Sequence, residues 1–134
     1  MKSKVLKTNI VLLSSKFNFQ KSKEITQISI STVDKITIND VSNDMFVLIV
    51  SRKLEFEPTK ETHLEVVFEV TVGTSDKETV DSVVRSINEG SSLLGNVFAR
   101  ASLLISQITS ASAFGPIITA PMYDAKNITI ETKI

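Results

Sequence analysis

The first half of the chain alternates apolar and polar residues, which places successive side chains on opposite faces of an extended segment and predicts strands. Residues 5–19 read as a first strand, with Ile10 and Leu12 on one face and Val11, Leu13, Phe17 and Phe19 on or near the other. Residues 25–38 alternate cleanly: Ile28, Ile30, Ile36 and Ile38 against Gln27, Ser29, Ser31, Lys35 and Thr37. Asn39-Asp40, with Ser42-Asn43-Asp44 beyond it, has the composition of a chain reversal. Residues 45–57 form a third strand, with Phe46, Leu48, Val50, Leu54 and Phe56 opposite Lys53, Glu55 and Glu57. Pro58 ends it, because proline cannot donate to a ladder. Residues 62–73 form a fourth, with Leu64, Val66, Phe68, Val70 and Val72 against Glu65, Glu69 and Thr71, closed by Gly73-Thr74-Ser75-Asp76.

Short connections between successive strands imply an antiparallel meander with one core face and one mostly polar face. Met45, Val47 and Ile49 depart from that rule. They make the outer face of the third strand apolar and call for cover by a helix, a neighbour or a ligand.

The period then changes. Val80, Val84, Ile87, Ser91, Leu94, Phe98, Ala101, Ile105 and Ile108 follow alternating spacings of three and four, and Val83, Val97 and Leu104 widen the stripe. This is an amphipathic helix. Ser75 or Asp76 is placed to cap its start. Asn88-Glu89-Gly90 and Gly95 weaken its middle, so a break near Gly90 is expected, with Ser91 or Ser92 recapping. The tail from Asn127 to Ile134 alternates again, as a short edge strand or a frayed end. The pattern as a whole predicts a single α+β domain over residues 1–134: a four-stranded antiparallel sheet packed against one long helix.

Composition narrows the function. A chain of 134 residues can bury a core of its own. Its 15 basic and 15 acidic residues cancel, without the basic excess a nucleic-acid partner demands. Zero net charge also leaves little repulsion between copies. The absence of cysteine excludes disulfides and thiolate zinc sites and fits a reducing cytosol. The longest apolar run, Met45 to Val50, is far short of the roughly 20 residues that span a bilayer. Lys7, Thr8 and Asn9 interrupt the apolar part of the N-terminus, so no signal peptide is expected. A cytoplasmic protein without membrane insertion is the expectation.

Catalytic chemistry finds no foothold. His63 is the only histidine and has no second imidazole or thiol for a metal, so a solvated strand-end residue is the better reading. The acids are scattered over strand faces and turns, no serine stands in a G-x-S-x-G setting, and Gly73, Gly90, Gly95 and Gly115 make no phosphate loop. Neither an enzyme nor a cofactor is expected.

The segment SSLLGNVFARASLLISQITSASAFGPIITAPMYDA carries interface material instead. The helix stripe is wider than one sheet face needs. Phe98, Ala101, Leu104, Ile105 and Ile108 are therefore candidates for a contact between copies. After the helix, Pro116 and Pro121 hold an extended strap at little entropic cost. Its Phe114, Ile117, Ile118 and Met122, together with Met45, Val47 and Ile49, are the candidate polypeptide-binding surface. Methionine and isoleucine adapt to varied side chains. Burial in an interface and a groove for clients both satisfy such a strap.

The same segment resembles the SecB family of export chaperones. The resemblance rests on the aromatic-Ala-Arg step Phe98-Ala99-Arg100, a Ser/Thr/Gly-rich turn, Gly115-Pro116, the second proline Pro121 and the aromatic-Asp pair Tyr123-Asp124, and on the order of four strands, crossover, helix and strap. It implies an ATP-independent holdase for unfolded polypeptides, of protein-export or toxin–antitoxin type, assembled as a dimer of dimers. Ser14, Ser15, Lys16, Phe17 and Asn18 supply no acid where the family docks the SecA motor, and the C-terminal helix and tail are shortened to KNITIETKI. Weak or absent SecA docking follows, unless Glu65 or Glu69 compensates. The alternative is a structural or adaptor protein that uses the scaffold for self-association or for one folded partner.

Overall fold

The computed structural model describes residues 5–17, 29–39, 41–42, 44–57, 61–74, 79–110 and 116–133. Strands β1 (Val5–Phe17), β2 (Ser29–Asn39), β3 (Met45–Glu57) and β4 (Glu61–Thr74) precede helices α1 (Val80–Glu89) and α2 (Ser92–Thr109), and β5 (Thr129–Lys133) ends the chain. The sheet order is β1-β4-β3-β2-β5. The first four strands pair antiparallel. β5 pairs parallel to β2. The sheet is therefore mixed and five-stranded, where the sequence predicts four antiparallel strands, and the one long helix is two, divided at Gly90 where the sequence places a break. The fifth strand comes from the alternating tail: Ile128 and Ile130 pack against the core, while Lys35 and Glu131 pair at 3.0 Å on the other face.

Even-numbered residues point to the core from Phe46 to Leu54 in β3 and from Leu64 to Val72 in β4. Leu48, Val50, Leu54, Leu64, Val66, Val70 and Val72 are almost fully buried. α2 packs over β3 and β4 and covers them with Leu94, Val97, Phe98, Ala101 and Ile105. β1 lies beyond that cover. Its Leu12 stands opposite Phe68 on the same face yet is 44% exposed, beside exposed Val11 and Leu13.

α1 has ten residues, below the roughly 12–15 at which an isolated helix becomes marginal in water. Burial of Val83 and Ile87, each about 1.5–3 kcal/mol, makes up the difference. Thr79 caps it, in a reciprocal box with Ser82. The proposed caps Ser75 and Asp76 lie outside the described residues. Gly90 separates the helices at φ 95°, a conformation other residues rarely adopt, and its N–H still donates to the Ile87 carbonyl. Ser91 recaps, its Oγ accepting from Leu94 N at 3.3 Å.

Candidate functional site

Residues 116–123 cross the helix-side face without forming a helix or a strand. A segment lying on an apolar layer must satisfy its main-chain polar groups from elsewhere. Side chains of α2 and β3 do so here, and the strap's own Tyr123 ties down its end. Thr109, in the last turn of α2, donates to the Ile105 carbonyl at 2.7 Å and accepts from Ile117 N at 2.7 Å. Ser102 Oγ donates to the Thr119 carbonyl at 2.7 Å. Tyr123 Oη donates to the Ile87 carbonyl at 2.7 Å and accepts from Ser91 N at 2.8 Å, pinning the strap's end to the α1–α2 junction.

The anchor from the sheet is Arg52, on the inner face of β3 and only 1% exposed. Its Nε donates to Asp34 Oδ1 at 2.7 Å and its Nη2 to Asp34 Oδ2 at 2.8 Å. Nη1 donates to Thr119 Oγ1 at 3.0 Å and to the Ala120 carbonyl. Nη2 also donates to the Met122 carbonyl at 3.0 Å. Those bonds use all five N–H donors of a guanidinium. The guanidinium also stands 4.9 Å from the centre of the Phe98 ring, and Phe98 meets Tyr123 at 5.5 Å between ring centres. A buried cation is tolerated when it is paired and its donors are satisfied. Among the described residues, no buried side-chain nitrogen or oxygen lacks a partner.

These anchors set which strap residues face out. Thr119 is buried, and Ile117 and Tyr123 are half-buried against the core. Ile118 is 76% exposed and Met122 64%. Leu103 follows Ser102 along α2 and is 60% exposed.

The structure does not unite the seven candidate polypeptide-binding residues. The strap lies on the helix side of the sheet, where Arg52 points. Met45, Val47 and Ile49 are odd-numbered residues of β3 and point to the opposite face, because the register runs unbroken from Met45 to Leu54. Val47 and Ile49 are half-buried there. Met45 is exposed and lines an open depression of about 570 Å³ with Thr8, Asn9, Asp44, Thr71 and Gly73. Phe114 lies outside the described residues.

The candidate contact between copies is also redistributed. Phe98, Ala101 and Ile105 are at most 1% exposed within a single chain, so they have no surface left for a second copy. The width of the stripe is used by the sheet on one side and the strap on the other. Leu104 and Ile108 are half-buried against the same core, while Leu103 is a large apolar residue that the helix leaves exposed.

Sequence reasoning missed Arg52 and Asp34. They are direct register partners across β2 and β3. Part of the signal was present: Arg52 holds the even position between Val50 and Leu54, and Asp34 the even position between Thr32 and Ile36. It also passed over the hydroxyls of Ser102 and Thr109 on the buried helix face. Among the described residues, no group of three His, Asp or Glu side chains is placed to hold a metal ion, and no helix is long and apolar enough to cross a membrane.

Comparison with solved structures connects this arrangement to a known fold. The chain is similar to a SecB-like chaperone of Mycobacterium tuberculosis, Rv1957, solved in complex with a ChAD peptide from the Rv1956 HigA1 antitoxin. The TM-score is 0.63 and the match covers 90% of this chain and 88% of that one. At 11% identity the likeness is one of fold. No protein-family model matches the chain, and no curated protein matches it by sequence.

Proposed function

We propose that the protein is an ATP-independent holdase that binds extended or unfolded polypeptide segments in the cytoplasm. The observation that carries this reading is the strap: Ile118 and Met122 stand out in solvent on a main chain anchored from beneath. An apolar surface displayed on an ordered backbone suits clients of varied sequence, since binding does not first have to order the site. The fold supports the reading, because a protein with a similar fold was solved with a bound antitoxin peptide. The test is suppression of aggregation of several unrelated unfolded proteins without nucleotide. Failure with all of them removes the holdase.

Docking to SecA is expected to be weak or absent. The outer face near the end of β1 presents Ser14, where an acid would attract a basic partner, and Glu65 already stands 3.5 Å from Lys53. Calorimetry at low salt tests this, and micromolar or tighter binding through the sheet face rejects it.

The second reading is a scaffold for self-association, and β1 favours it. It is a long edge strand, paired on one side with β4, and it exposes Val11, Leu12 and Leu13 in succession. Exposed apolar edges are templates for pairing with another chain. Two copies joined edge to edge, then paired again through the helix side, make the proposed dimer of dimers. A protein that assembles in this way but protects no client is the structural or adaptor alternative.

A further inference from the structure

The strap's anchors act chiefly on its main chain. The Thr119, Ala120 and Met122 carbonyls and the Ile117 N–H are all held by side chains from elsewhere in the fold. Main-chain anchors fix the path and register of a segment whatever its side chains do. Arg52 differs from the other anchors because it holds two strap carbonyls and the Thr119 hydroxyl at once, and because another side chain aims it. Asp34 takes Nε and one N–H of Nη2, which turns Nη1 and the remaining Nη2 proton towards the strap. Only a planar fork can serve both sides at once, and lysine has none.

We propose that the Asp34–Arg52 pair is the positioning element of the polypeptide-binding strap: it fixes the register in which Ile118 and Met122 face outward, and tight client binding requires that register. The proposal rests on the polypeptide-binding reading given above. Its physical basis is preorganisation. A strap that has lost its anchors must be ordered each time a client binds, and that entropy is subtracted from affinity. The pair neither touches a client nor lies on the exposed surface, so its influence passes entirely through the strap.

The test is the double variant Asp34→Leu/Arg52→Met, which removes both charges together and leaves neither buried alone. Three quantities are read in the full chain: the melting transition, hydrogen exchange at the Ile117, Ile118 and Thr119 amides, and affinity for reduced, carboxymethylated α-lactalbumin as an unfolded probe. The expected result is a retained cooperative melt, strap exchange that accelerates while exchange in β3 and β4 does not, and affinity weaker by roughly tenfold, the scale of losing one or two pre-ordered side chains. A pair with a merely structural role moves the melt and leaves strap and sheet exchanging in step. Unchanged strap exchange and affinity in a folded double variant overturn the proposal. If the double variant does not fold, Arg52→Lys decides: it keeps a positive charge opposite Asp34 but loses the fork, and the same split between strap and sheet is expected. Failure of both to fold shows that the pair cannot be separated from the core, and it overturns the proposal too. If the unmodified protein does not bind the probe, the polypeptide-binding reading fails, and the exchange data still show whether the pair holds the strap.

Discussion

Arg52 and Asp34 stand directly opposite each other across the β2–β3 ladder, joined by two hydrogen bonds of 2.7 and 2.8 Å on the inner face of the sheet. Neither has an apolar residue's reason to be there. Their presence follows from the strap above them, whose carbonyls need donors in a layer that otherwise offers hydrocarbon.

The pair should therefore behave asymmetrically under mutation. Arg52→Met alone leaves the Asp34 carboxylate without its partner and should cost about 3–5 kcal/mol in urea denaturation. Adding Asp34→Leu should recover most of that loss. A double variant no more stable than the single one rejects this account.

Tyr123→Phe keeps the ring against Phe98 and removes only the hydroxyl. Ser91 N loses its acceptor, while the Ile87 carbonyl retains the Gly90 N–H at 3.2 Å. A loss of about 1–2 kcal/mol is expected from one orphaned donor, read as a lower melting temperature. No change means that water replaces the hydroxyl at the helix junction.

Two glycines should respond to alanine with opposite signs. Gly90 has room for a methyl group but sits at φ 95°, so Gly90→Ala should destabilise by about 1–2 kcal/mol. Gly95 has equal room inside α2, and Gly95→Ala should stabilise by about 0.5–1 kcal/mol. Chemical denaturation of the two variants checks both signs.

Ile118→Ser with Met122→Ser should leave stability within about 0.5 kcal/mol, as for exposed side chains in general. Protection of an unfolded client should fall sharply. If protection survives, clients bind elsewhere, with the outer face around Met45, Val47 and Ile49 as the next place to look.

The unmodified protein should be an oligomer at micromolar concentration, with β1 as one contact. Val11→Lys with Leu13→Lys charges the exposed edge and should lower the mass in light scattering while the sheet stays folded. Leu103→Glu probes the helix side, and it suits that purpose better than a change at Leu104, which packs against the core. A monomeric mass for the unmodified protein rejects the assembly.

The strands and the helix break were legible in the chain because their signals are local. Alternation at Phe46, Leu48 and Val50 or at Val66, Phe68 and Val70 depends only on which face of a strand is dry. The break at Gly90 depends on one backbone conformation and the cap that follows it. The strap was also visible as an apolar, proline-bearing segment.

What lies beside the strap could not be read in this way. Whether Ile128 and Ile130 fray or add a parallel fifth strand depends on β2 offering an open edge, far away in sequence. The helix stripe looked wide enough for a second copy because the strap that covers part of it is not adjacent to it in the chain. Arg52 and Asp34 were not singled out, because a local pattern can mark a polar residue among core positions but does not name its partner. Sequence by itself determined the alternation, the helix and the presence of an apolar strap. Only the tertiary structure decided which apolar residues stay exposed and which charges are buried, because burial is set by elements that meet across 18 to 70 residues of chain.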